Sequence, residues 1–238
     1  MYGGDELFPL RDTIPSRRKP YVMWAIIITN IVVFIYELLL SDGELLLLIY
    51  NHGLVPARYT KGHILLYNRF LIQYNRLDLS PFVTSTFLHG GWTHLLGNMW
   101  TLFIFGDNVE DMLGHFRFLI YYILWGVGAG FLQFLLSPTS QVPVIGASGA
   151  IAGVMGAYLY FFPMSRILTF IPVLFLPFIV EIPAFIFLLV WFFIQFFNGT
   201  FAIIGANFSG VAWWAHVGGF IAGLYMARFY SKKHFGYR

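Results

Sequence analysis

Three polar clusters interrupt the apolar stretches of the chain: His89, His94 and Asn98; Gly146-Ala147-Ser148-Gly149; and Ala215-His216. Serine and histidine together suit acyl transfer. A serine hydroxyl is a poor nucleophile until a neighbouring base takes its proton, which makes His216 the candidate base for Ser148. The reaction also needs donors aimed at the oxygen on which charge develops. Ser148 is expected to open a helix, where free backbone N–H groups and the positive end of the helix dipole are available. His94 and Asn98 share one helix face and can add side-chain donors. His89, Gly146, Gly149 and Gly219 are read as supporting residues. A metal site is the weaker reading: His89, His94 and His216 could be ligands, but no HExxH pattern or acidic partner accompanies them. With no cysteine in the chain, disulfides, cysteine nucleophiles and thiolate metal sites are excluded.

The elements that carry these residues follow from composition. The chain has 238 residues, of which 58% are hydrophobic and 11% charged, against about 25% charged in a typical soluble domain. The apolar runs are Tyr21–Leu40, Phe82–Phe105, Phe118–Leu136, Gly149–Pro163, Pro183–Phe197 and Val211–Phe229. They predict an all-α, polytopic membrane protein with a bundle of six transmembrane helices, because only helices or closed barrels satisfy backbone polar groups in lipid. The alternating segments of a barrel are missing. Pro172 and Pro177 break the apolar segment Ile167–Val180, which is expected to be an interfacial loop. A formal charge of +3 is too small and too localised to suggest nucleic acid.

Lys and Arg set the expected direction. Ten lie on the two ends and the second and fourth loops, and four on the other side, so both termini are expected in the cytoplasm. Residues 1–20 read as a cytoplasmic tail, 21–229 as one membrane domain with a long outward loop at 41–81, and 230–238 as a second tail. The expected location is a multi-pass position in a prokaryotic inner membrane. Spans two, four and six would then run from outside to inside, and all three polar clusters sit near their starts, in the outer half of the bilayer. The fourth span, 15 residues from Gly149 to Pro163, is only about 22 Å long against a hydrocarbon core of about 30 Å. Ser148 should therefore lie below the surface, with segment Ser137–Ala147 dipping in to line a water-filled cavity. Small residues at steps of four (Gly149, Gly153 and Ala157; Ala215, Gly219, Gly223 and Ala227) form two smooth ridges that would let spans four and six approach closely. The fifth span is rich in Phe and has no such ridge. It is expected to gate the site laterally, beneath a cap formed by loop Asn198–Gly210.

Each feature has a plainer explanation by itself. Membrane serines bond back to their own helix, small-residue ridges simply pack helices, and buried histidines are often structural. Equal depth, a short fourth span and paired ridges together favour catalysis. A transporter would need charges deep in several spans, and almost none are present.

The segments His89-Gly-Gly-Trp-Thr-His94-Leu-Leu-Gly-Asn98, Gly146-Ala-Ser148-Gly149 and Ala215-His216-Val-Gly-Gly219 through Gly223, with Gly53-Leu-Val-Pro-Ala-Arg58 and Gly106-Asp-Asn-Val-Glu-Asp111, resemble the rhomboid family of intramembrane serine proteases. The resemblance implies Ser148 as nucleophile, His216 as general base, and an oxyanion hole of Ser148 N–H, His94 and Asn98. It further implies cofactor-free cleavage of transmembrane protein segments near the outer membrane face. The alternative is a catalytically inactive relative that binds transmembrane clients. Two departures stand out. No tryptophan precedes Arg69 or Arg76 in the first loop, and Ala152 occupies the position where some relatives carry an aromatic against the histidine, so another group must orient His216.

Overall fold

The computed structural model describes residues 8–66, 70–173, 176–203 and 211–235. Six long helices dominate: α1 (Tyr21–Leu39), α5 (Trp92–Leu113), α6 (His115–Leu136), α7 (Ser148–Phe161), α8 (Ala184–Ile203) and α9 (Trp213–Phe235). By length and composition α1, α6 and α8 are apolar enough to cross a membrane. The other three are shorter or more polar, and they carry His94 and Asn98, Ser148, and His216. α7 is central. Every residue from Gly149 to Leu159 is buried, because α5, α6, α8 and α9 surround it.

The ridges account for the closest contact. A Cβ on Gly219 or Gly223 of α9 would overlap the backbone carbonyls of Gly149 or Gly153 on α7, and one on Gly156 would overlap the Phe220 carbonyl. Only hydrogen can occupy these positions. Backbones packed this closely gain dispersion contacts and Cα–H···O contacts that larger side chains would prevent.

Two carboxylates join α1 to the segment that contains α5. Buried Glu110 accepts the backbone N–H groups of Val22 and Met23 at 3.0 and 2.7 Å, where the first-turn donors of α1 have no helical partner. At the other end of α1, buried Glu37 accepts the His89 N–H at 3.2 Å from both oxygens.

The chain is mostly helical as expected, but five short strands among the described residues correct the expectation that it is helical throughout. Segment Ile167–Val180 is not a loop: β4 (Arg166–Val173) and β5 (Leu176–Pro183) form an antiparallel hairpin. Strand β1 (Phe8–Asp12), within the stretch read as a tail, pairs with β4. The prolines misled because a missing N–H matters only where a neighbouring strand needs it. Pro172 and Pro177 lie opposite each other in the hairpin, and among the described residues β1 pairs with β4 only as far as Phe170. The first outward segment also folds, through α2 (Asp42–His52), α3 (Ala57–Thr60), the hairpin of β2 (His63–Leu66) and β3 (Phe70–Gln73), and α4 (Pro81–Thr84). Buried Arg58 organises it. Its guanidinium pairs with Asp78, donates to the Asn51 carbonyl at 2.8 Å, and stacks over Tyr74. Arg69 lies outside the described residues.

Span boundaries shift in places. The second long helix begins at Trp92 rather than Phe82, because α4 and a 3-10 turn at Ser85–Phe87 take up the intervening residues. Helix α8 continues to Ile203, so the first part of the expected cap, from Asn198, is helical, and residues 204–210 lie outside the described part.

Candidate active site

Ser148 is the first residue of α7, and its backbone N–H belongs to the first turn, where helices leave donors free. Gly146 makes the entry possible. Its φ of 121° lies in the region L side chains avoid, and a Cβ there would come within 2.6 Å of the His94 ring. The irregular segment before the helix is held by backbone bonds: Val144 exchanges N–H···O bonds with Leu54 at 2.8 and 3.0 Å, Ala57 N–H donates to Ser140 O at 2.9 Å, and Gly146 N–H donates to Ser85 O at 2.9 Å. Backbone of this kind needs such partners away from bulk water.

The close α7–α9 packing brings His216 to Ser148. His216 Nε2 lies 2.8 Å from Ser148 Oγ, across 68 residues of sequence. The other ring nitrogen, Nδ1, lies 2.8 Å from Gln195 Oε1 on α8. Trp191, one turn before Gln195, tilts over the imidazole with centroids 5.9 Å apart, and Trp213 meets its edge at 6.1 Å. Ala152 is fully buried beside Gly219, so the imidazole is flanked by α8 side chains and not by an aromatic from α7.

A cavity of about 620 Å³ collects the remaining groups; His94, Asn98, Gly146, Ser148, Gly149, Gln195 and His216 all line it. Buried Asn98 points Nδ2 there without a hydrogen-bond partner. Nδ2 lies 3.6 Å from the position a Cβ on Gly146 would take, next to the start of α7. An unpaired buried donor is costly, and a negatively charged oxygen entering the cavity would relieve that cost. His94 Nδ1 faces the Gly90 N–H at 3.4 Å, a long contact that leaves Nε2 as the N–H turned towards Gly146. No Asp or Glu is among the described lining residues.

Two supporting residues sit elsewhere. His89 does not line the cavity. It is buried against His94, with ring centroids 5.1 Å apart. Gly219 acts through helix packing. Among the described residues no group of three or more His, Asp or Glu side chains is arranged to hold a metal ion.

Gln195 was not singled out from sequence. The available signal was a lone amide in the apolar run Phe192-Phe193-Ile194-Gln195-Phe196-Phe197, since a polar side chain at membrane depth is itself a functional hint.

A model of the Rhomboid domain matches residues 76–233, about two thirds of the chain. Rhomboid-like protein 11, chloroplastic, of Arabidopsis thaliana is 46% identical over 72 residues, covering 30% of this chain and 25% of its own length. Rhomboid protease GluP of Bacillus subtilis is 42% identical over 78 residues, 33% of this chain and 15% of its own length. The presenilin-associated rhomboid-like protein, mitochondrial, of Mus musculus is 33% identical over 97 residues, 40% of this chain and 26% of its own length. The matches thus span about a quarter or less of each relative.

Proposed function

The chain belongs to the rhomboid family, and we propose that it is an intramembrane serine endopeptidase that cleaves transmembrane segments of other membrane proteins near the outer face of the bilayer, using Ser148 and His216 and no cofactor. The observation that carries this reading is the 2.8 Å contact between Ser148 Oγ and His216 Nε2 in a cavity lined by the unpaired Asn98 amide.

In this reading Ser148 Oγ attacks the carbonyl carbon of the scissile peptide while its proton passes to His216 Nε2. The resulting oxyanion accepts hydrogen bonds from Ser148 N–H, Asn98 Nδ2 and His94 Nε2. Each such donor is worth roughly 100- to 1,000-fold in rate in other acyl-transfer enzymes. Collapse breaks the C–N bond, and His216 returns the proton to the departing amine. Water, deprotonated by His216, then cleaves the acyl-serine ester and releases the second product.

The protein is an integral membrane protein by family and composition. We read all six long helices as spans, with both termini cytoplasmic as the Lys and Arg distribution suggests, in a prokaryotic inner membrane. The relatives fit bacteria and organelles alike. The test is proteolysis of a panel of single-span substrates by purified protein. Cleavage by wild type and none by Ser148→Ala supports the protease. Client binding with no cleavage by wild type supports the inactive, client-binding alternative.

A further inference from the structure

Resting on the protease reading, we propose that Gln195 is a positioning residue for His216: its side-chain oxygen holds the ring in the tautomer that can take the proton from Ser148. A neutral imidazole carries one N–H. If that proton sits on Nε2, the nitrogen facing Ser148 is a donor and cannot act as a base. If it sits on Nδ1, Nε2 presents its lone pair. The choice is made by whatever Nδ1 faces. Here that group is Gln195 Oε1 at 2.8 Å, a carbonyl oxygen that accepts and cannot donate.

The placement of Gln195 is built into the fold. It is 6% exposed and continues the buried stripe of α8 that also holds Leu188 and Gly199. One turn further along, Trp214 Nε1 of α9 donates to the Gly199 carbonyl at 3.0 Å, fixing the register of the two helices. Trp191, one turn earlier, covers the imidazole. With no Asp or Glu among the described residues that line the cavity, the amide takes the place behind the histidine that a carboxylate fills in soluble triads. It sets orientation without adding a buried negative charge.

The test follows the labelling of Ser148 by a fluorophosphonate, in which Oγ bonds to phosphorus, fluoride leaves and the hydroxyl proton goes to His216. Gln195→Leu removes the acceptor and should slow labelling and kcat by roughly tenfold, about the worth of a neutral hydrogen bond and the tautomer it selects, with KM unchanged. Gln195→Glu keeps an acceptor and adds charge that stabilises the imidazolium, so activity should persist with the acid limb of its pH profile moved up by about one unit or more. Independently of any variant, 15N spectra of wild-type His216 near neutral pH should show Nδ1 protonated and Nε2 bare. Wild-type labelling rate and pH profile in Gln195→Leu, an unshifted limb in Gln195→Glu, or protonation on Nε2 would each overturn the assignment while leaving the protease intact. Failure of wild type itself to label at Ser148 would remove both.

Discussion

Gly219 of α9 lies directly against the backbone carbonyl of Gly149, the residue after Ser148, with no room for even a methyl group between them. The distance between Ser148 and His216 is therefore set by two glycines that carry no chemistry. Gly219→Ala should force α7 and α9 apart, costing about 1–3 kcal/mol as overpacked sites do, and should suppress Ser148 reactivity more than it lowers thermal stability. Gly43→Ala, on open surface in α2, is the control. A Gly219→Ala protein as reactive as wild type would show that the close approach is dispensable.

Asn98→Ala separates catalysis from folding. Because Asn98 Nδ2 has no hydrogen-bond partner among the described residues, its removal should cost little stability. The rate should nevertheless fall roughly 100- to 1,000-fold, as expected for an oxyanion donor, with the loss in kcat. A change confined to KM would place Asn98 in substrate binding instead.

Helix α8 is the least buried of the three helices apolar enough to cross a membrane, consistent with a lateral gate. Phe192 packs on Phe220 of α9 with ring centroids 4.9 Å apart. Phe192→Ala should speed cleavage of a membrane-embedded substrate by no more than roughly tenfold, the worth of one aromatic pair, and cross-linking α8 to α5 should slow it. Unchanged rates in both experiments would argue against the gate.

At the other end of the molecule, the edge strand β1 is held through Asp12, which accepts from Tyr158 Oη at 2.6 Å and Asn108 Nδ2 at 2.7 Å. Burial, reinforced by the charge of Asp107, outweighs the Tyr158 hydrogen bond and pushes the Asp12 carboxyl up to about 6 from 3.8. Between those values the docked strand binds more protons than the free one. Docking is therefore strengthened as pH falls through this window and weakened as pH rises through 6. Hydrogen exchange at Leu10–Asp12, corrected for intrinsic rates, should show greater protection at pH 5 than at pH 8, and Asp12→Asn should flatten the difference. Protection that grows with pH would contradict this.

The site was legible in the sequence to the extent that chemistry and packing share residue types. Ser148, His94, Asn98 and His216 stood out because polar groups are costly in apolar runs, and the ridges at Gly149 and Gly219 announced a close crossing by their spacing. Gln195 was missed because the surrounding phenylalanines made the fifth span read as one hydrophobic block, and the contact that gives it meaning is tertiary. The β4–β5 hairpin is hidden in the sequence because Pro172 and Pro177 read as breakers, whereas a proline breaks a strand only where the sheet needs its backbone donor. The apolar residues Phe82–Leu88 look continuous with the second long helix, although they belong to α4 and the 3-10 turn, which supports the cavity wall through Ser85.

Catalysis by Ser148 is tested most directly by treating purified protein with a fluorophosphonate and locating the adduct by mass spectrometry of its peptides. One adduct is expected, on Ser148, absent from Ser148→Ala and lost or strongly slowed in His216→Ala, with proteolysis of single-span substrates disappearing in parallel. No adduct at Ser148 in wild type, or undiminished proteolysis by Ser148→Ala, would contradict it.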